Sequence, residues 1–200
     1  MQDAIRFLDQ APDTVLPIHV LLQEELDIFL AQQDSTLQLY VQSIRQDKNH
    51  AACYLLPGAK GKVEQILLLV ESKEDRFALA KNVALMPEGQ YVLEAGLGDS
   101  QIESLALGFA MEAYRFDPYK KESKPQNKQL ILATRFREAL LHQIQAVALL
   151  RDLINTPPNI MQPSYLANCA KKLGQSHGAT CTIYKGQDIE EDPRRRQSGA

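Results

Sequence analysis

Apolar residues along this chain fall into two rhythms. Short dense runs, "TVLPIHVLL" (14–22), "HAACYLL" (50–56) and "VEQILLLVE" (63–71), read as buried strands, and "QYVLEA" (90–95) and "KQLILAT" (128–134) read as further strands with thinner apolar content. Between them the spacing turns helical. "LQEELDIFLAQQ" (22–33) puts Leu22, Leu26, Phe29 and Leu30 on one face, and "KEDRFALAKNVALM" (73–86) does the same with Phe77, Ala80 and Ala84. "DSQIESLALGFAMEAYRF" (99–116) opens on Asp99 or Ser100 as a cap and turns Leu105, Phe109 and Met111 inward. Strand and helix in alternation predict an α/β fold, a partly parallel mixed sheet flanked by helices.

A longer helix follows. Residues 134–154, "TRFREALLHQIQAVALLRDLI", carry Phe136, Leu140, Ile144, Val147, Leu150 and Ile154 in one stripe, with Thr134 placed to cap the start. At 1.5 Å per residue it is about 30 Å long. Pro157 ends it, because the residue before a proline is pushed out of the helical region, and Pro158 stiffens the joint. Pro163 can then open a second helix at its first position, with Gln162 as a poor cap, Leu166, Ala170 and Leu173 as the buried face, and Gly178 as a left-handed stop. "ATCTIY" (179–184) alternates as a strand, and "KGQDIEEDPRRRQSGA" reads as a disordered tail. A helix and one strand cannot bury a core. The second α/β unit therefore reads as unfinished.

Composition narrows the class. The 200 residues are 44% hydrophobic with a net charge of −3, so no overall basicity draws the chain to nucleic acid or anionic lipid. The N-terminus has acidic residues and no apolar run, unlike a secretory signal. The longest apolar run, Ile66 to Val70, is far too short to span a bilayer. Cys53, Cys169 and Cys181 are odd in number and widely spaced, as expected of reduced, buried thiols in a cytoplasmic protein.

Candidate chemistry is sparse. His19, His50, His142 and His177 fall in no metal-ligand spacing, and no cysteine has a histidine or charged group nearby in sequence to lower its pKa. There is no nucleophile elbow and no Walker loop. "EAGLGDSQ" (94–101) is a glycine-bearing turn into a helix, a place where an anion can sit. It holds only Gly96 and Gly98, and Asp99 puts a negative charge where a phosphate would lie, so a plain turn is the simpler reading. The lysines of 120–128 lack aromatic partners and read as a solvated loop, and Arg194, Arg195 and Arg196 as part of the tail. These residues supply no catalytic, cofactor-binding or metal-binding constellation.

The joint itself carries a resemblance. "RDLINTPPNIMQPSYLANCAKKL" resembles the linker between the two domains of the leucine aminopeptidase (cytosol aminopeptidase) family, matching at Arg151, Asp152, Leu153, Asn155, Thr156, Pro157, Pro158, Asn159, Pro163, Leu166 and Ala167. "GFAMEAYRFDPYK" (108–120) is similar to a second stretch of that family at Gly108, Tyr114, Phe116, Tyr119 and Lys120. The resemblance implies a macro-like N-terminal domain that assists assembly into hexamers and restricts access to the active sites. It also implies a parent enzyme that releases N-terminal residues, often leucine, from peptides. Two divalent metals, Zn or Mn, bound by the C-terminal peptidase domain would activate the water. The motifs that hold them in the family, Gly-x-Thr-Phe-Asp-Ser-Gly-Gly and Asn-Thr-Asp-Ala-Glu-Gly-Arg, do not occur in this sequence.

The expected organisation is a macro-like domain over 1–133, a linker helix over 134–154, and the start of a peptidase domain over 155–200. This chain alone is expected to be inactive and to bind no metal or other cofactor, with its own peptidase domain and further copies of itself as partners, no membrane, and peptides as the parent's substrates. Two other classes compete with that reading. A freestanding macro-like module would hold a nucleotide or ADP-ribose near Gly96 and Gly98, but it has no use for the joint at 155–159. A DNA-binding accessory domain would have to overcome the acidic balance and show steep salt dependence.

Overall fold

The computed structural model describes residues 4–10, 12, 14–45, 52–58, 60–118 and 127–186. Two units are distinguished along the chain, Met1–Leu150 and Arg151–Ala200.

Among the described residues the first unit has six strands: β1 (Ile5–Phe7), β2 (Leu16–Leu22), β3 (Cys53–Pro57), β4 (Val63–Val70), β5 (Gly89–Leu93) and β6 (Lys128–Leu132). They lie in the order β1-β6-β5-β2-β4-β3. Five run parallel, and only β3 pairs antiparallel, to β4. β4 shows why these runs become strands. Ile66, Leu68 and Val70 enter one apolar cluster while Leu67 enters the other. An interior parallel strand is covered on both faces, so its apolar run is nearly continuous.

Helices α1 (Leu26–Ala31) and α2 (Ser35–Arg45) close the smaller cluster through Leu26, Leu30, Leu37 and Val41. Helices α3 (Phe77–Ala80), α4 (Asp99–Glu112) and the first half of α5 (Arg137–Asn155) close the larger one through Leu79, Leu105, Phe109, Leu140 and Ile144. The approach of α4 to the α3 segment is close enough to require glycine. A Cβ on Gly108 would lie 1.8 Å from the Arg76 carbonyl oxygen. The sheet's β3 margin is irregular, with a register shift between Leu56 and Pro57 and the Tyr40 hydroxyl donating to the Leu55 carbonyl at 3.3 Å.

Several elements differ from the sequence expectation. β2, β4, β5 and β6 each lose one or two of the expected residues at an end, β3 runs on to Pro57, and the helix expected over 22–33 begins only at Leu26, after a 3-10 turn at Gln23–Glu25. The helix expected over 73–86 is broken into α3 and a 3-10 turn at Val83–Leu85. Asn82 is the reason: its side-chain amide donates to the Ala78 carbonyl at 2.9 Å, and its backbone N–H turns to Leu79 instead, at 3.0 Å. The break rotates Phe77 outward to 45% exposure and leaves Ala84 exposed, while Ala78, Leu79 and Val83 go inward. The helix expected over 99–116 ends at Glu112, and its Met111 is only half-buried. Helix α2, with Asp34 accepting the Leu37 N–H at 2.8 Å, and the three-residue β1 were not anticipated.

Capping differs as well. The residue before α4 is Gly98, not Asp99 or Ser100. Ala133 precedes the 3-10 turn that leads into α5, and the Thr134 hydroxyl goes to the Asp9 carboxylate rather than to the helix. The stripe of α5 is buried at Phe136, Leu140 and Ile144, half-buried at Val147, then bare at Leu150 (57% exposed) and Ile154 (72%).

In the second unit, α6 (Pro163–Ser176) starts as expected, with Pro163 at its first position and Gln162 before it making no side-chain cap. Gly178 has the left-handed backbone, φ +71°. The expected buried face is not buried: Leu166 and Leu173 are 50% and 46% exposed and Ala170 is exposed. Residues 179–184 form no strand. A strand is completed only by a neighbour's backbone groups, and α6 supplies none.

Candidate functional site

Open α/β sheets take ligands beyond the carboxyl ends of their strands, where the strand order reverses. Here the chain leaves β2 for β4 on one side and returns to β5 on the other, so that place lies between the ends of β2 and β5. The loops that follow are 23–25 and 94–98. Gly96, at φ +100°, makes the turn, and nothing approaches its missing side chain within 4 Å.

The cradle is filled by the protein's own groups. The Gly98 N–H, one of the donors a phosphate would need, donates to the Gln101 side-chain oxygen at 2.9 Å. The Gln101 amide in turn donates to Glu74 at 2.7 Å. Asp99, in the first turn of α4, accepts from Arg135 at 2.8 Å. Across the crevice, Glu25 accepts the Leu22 N–H at 2.8 Å with one oxygen and Lys73 at 2.7 Å with the other. The Lys73 bond, more than the backbone bond from Leu22, holds the Glu25 carboxyl below its ordinary pKa. An arriving phosphate would meet Glu25, Glu74 and Asp99, with Lys73 and Arg135 already engaged. The turn at 94–101 is a strand-to-helix connection whose anion cradle is taken. Glu25 and Gln101 went unnoticed in the sequence, yet each stands three residues after the backbone group it caps, the spacing of a capping box.

The histidines are scattered. His19 sits on β2 with its Nε2 3.0 Å from the Gln65 side-chain oxygen and its ring 4.8 Å from that of Phe29. His142 and His177 are exposed, and His50, the lysine loop at 120–126 and Arg194 to Arg196 lie outside the described residues. Among the described residues no group of three His, Cys, Asp or Glu is placed to hold a metal ion. Of the cysteines only Cys53 is buried; Cys169 and Cys181 are partly exposed. Burial raises the Cys53 thiol to about 11. Burial, with Cys53 and Glu88 adding to it, raises Tyr91 to about 12, so neither is an activated nucleophile. A shallow groove of about 410 Å³ along α6 is lined by Tyr165, Asn168, Cys169, Lys171, Lys172 and Gln175, with no acid to serve as base or ligand.

The joint is the best-defined feature of the second unit. Thr156 is buried, and both its N–H and its hydroxyl donate to the Asp152 carbonyl, at 3.0 and 2.6 Å, closing the end of α5. The Pro157 carbonyl then accepts from Ile160 and Met161, each at 2.9 Å, turning the chain toward Pro163. Thr156 and the prolines thus do structural work in fixing how one helix stops before the next begins.

Residues 16–133, more than half of the chain, match the family described as M17 aminopeptidase, N-terminal domain. A probable cytosol aminopeptidase of Neisseria meningitidis is 30% identical over 129 residues, covering 56% of this chain and 26% of the relative. One from Syntrophotalea carbinolica is 27% identical over 147 residues, covering 66% of this chain and 28% of the relative. The crystal structure of the cytosol aminopeptidase from Coxiella burnetii superposes with a TM-score of 0.81 at 26% identity, covering 93% of this chain and 41% of that one. The chain thus spans about a quarter of the length of these curated relatives.

Proposed function

Because this chain belongs to the M17 aminopeptidase family as its N-terminal domain, we propose that it is the non-catalytic, assembly-directing part of a metal-dependent exopeptidase that releases N-terminal amino acids from peptides. Residues 1–133 form the macro-like domain, 134–154 the linker helix, and 155–200 the beginning of the peptidase domain. The observation that carries the reading is the order of parts: an α/β sheet domain, the long helix α5, and the Thr156–Pro163 joint. The length of the matched relatives, together with their names, supports a peptidase domain in the same protein and a cytoplasmic setting. No described helix is long and apolar enough to cross a membrane.

Among the described residues nothing is arranged to hold the family's metals. The described carboxylates near the crevice are spent on Lys73, Gln101 and Arg135, and no donor set of three converges anywhere among the described residues. No step of hydrolysis is therefore assigned to this chain's own side chains. The two divalent metals belong to the peptidase domain of the parent, and homo-oligomers up to the hexamer are the expected assembly.

The test is hydrolysis of a leucyl anilide by the purified chain with Mn²⁺ or Zn²⁺ added, alongside its metal content. The expected result is no turnover and no retained metal. Metal-dependent turnover that survives repurification would overturn the proposal. Binding of ADP-ribose would favour the freestanding module, but the occupied cradle at Gly98 argues against it.

A further inference from the structure

All five parallel strands end on the same side of the sheet, and a line of polar contacts joins the loops that follow them. The loop after β2 contributes Glu25, held to Lys73 of the loop after β4 at 2.7 Å. The next residue, Glu74, accepts from Gln101 at the start of α4 at 2.7 Å. Gln101 is tied back to Gly98, and Gly98 is followed by Asp99, which takes Arg135 of the loop after β6 at 2.8 Å. Thr134, beside Arg135, donates to Asp9 of the loop after β1. The line runs from one end of the parallel sheet to the other, and each link passes through two residues adjacent in sequence or one turn of helix apart.

We infer that these contacts act together as a strap that closes the carboxyl edge of the sheet and takes the place of a ligand in holding its loops. Isolated surface ion pairs contribute little, but charges joined in a network are the recognised exception. Asp99 and Arg135 are more than 60% exposed, while Lys73 is only 17% exposed and anchors the line in the body of the domain. The strap makes the edge one cooperative unit rather than five independent loops. It also removes the crevice in which sheets of this kind ordinarily receive a nucleotide.

Glu74 is the middle link, so Glu74→Ala on the full chain is the informative variant, with amide exchange as the readout. The expected result is a rise of about twofold to fivefold in exchange across 96–102 and at 134–136 as well as around residue 74. Core strands β2 and β4 should not change. Glu74→Gln keeps an acceptor for the Gln101 amide and should restore most of the protection. About 1 M salt should act on the ion-paired links instead, raising exchange beside Glu25 and Lys73 and beside Asp99 and Arg135. A rise confined to residues 72–77 would overturn the strap, since independent loops would respond in that way. Saturable binding of ADP-ribose to the unaltered chain would overturn the closure of the crevice.

Discussion

Substituting Gly108 by alanine sets two effects of known sign against each other. Gly108 lies inside α4, where alanine is the better helix former by about 1 kcal/mol. Propensity alone therefore predicts stabilisation. The structure predicts the reverse, because an added Cβ would stand 1.8 Å from the Arg76 carbonyl oxygen and 3.7 Å from the Ala80 Cβ. Comfortable heavy-atom contact lies near 3.5 Å, so roughly 1.7 Å of overlap must be relieved. The clashing oxygen and the Arg76 carbonyl carbon, 3.0 Å away, both belong to the main chain, and no rotamer change can help. The segment Arg76–Ala80 and α4 must move apart, loosening Leu79, Leu105 and Phe109 together. Overpacking of this kind costs about 1–3 kcal/mol. A main-chain overlap this large belongs in the upper part of that range, about 2–3 kcal/mol, so after the propensity gain of about 1 kcal/mol a net loss of about 1–2 kcal/mol is expected. For a chain of this size that lowers Tm by roughly 2–8 °C, read by far-ultraviolet circular dichroism. Gly174 in α6 is the control, since its added Cβ would meet Cys181 and Ala179 at 3.7 and 3.8 Å, ordinary contact. Gly174→Ala should strengthen its helix. If Gly108→Ala is as stable as the unaltered chain or more so, the close approach is not a constraint and the reasoning fails.

The stripe of α5 should respond unevenly to truncation. Leu140→Ala should cost about 2–5 kcal/mol because Leu140 is fully buried, while Ile154→Ala, at a residue 72% exposed, should stay within about 0.5 kcal/mol in urea melts of this chain. Acid should weaken the fold through Glu25 and Asp75, whose pKa values are lowered, Asp75 chiefly by the Phe77 N–H. Their contribution is complete above their ordinary values of 4.5 and 3.8 and is lost as pH falls below them, so Glu25→Gln should flatten the acid limb of a stability–pH curve. Alkali acts with the opposite sign. Cys53 and Tyr91 ionise at 9.0 and 10.0 when unfolded but at about 11 and about 12 when folded, so stability should fall as pH rises above 9. Ultraviolet difference absorbance should show one tyrosine ionising last, and its absence in Tyr91→Phe identifies it.

What the sequence conveyed depended on whether a segment's burial was set by its own pattern. The run at Ile66–Val70 declares a strand covered on both faces, and Leu140 and Ile144 announce a helix on a core. Asn82 defeated the helix expected at 73–86 because a side-chain amide competing for the Ala78 carbonyl leaves no mark in hydrophobic periodicity. Leu166 and Leu173 show the opposite failure. Their spacing is amphipathic, but a face is buried only if something lies against it, and spacing is silent on the partner. Ile5–Phe7 was invisible because three residues carry no period. At the crevice, the contacts that decide its character join Glu74 to Gln101 and Asp99 to Arg135 across 27 and 36 residues. The glycines of 94–101 suggested a place for an anion; only the fold shows what already stands there.

The pairing of β1 with β6 bears on how the protein comes into being on the ribosome. Ile5 lies opposite Leu130, about 125 residues later, so the first strand synthesised has no partner until the last one emerges. At ordinary translation speeds that delay is roughly 6–25 s. During it β2, β3, β4 and β5 can assemble among themselves, and β1, Ile5-Arg6-Phe7, waits with its place unfilled. The delay ends when residue 132 clears the exit tunnel, and the arrival of β6 places both strands at once. A nascent chain stalled anywhere between β5 and β6 would carry a finished-looking sheet with an open margin, and there a chaperone would find something to hold.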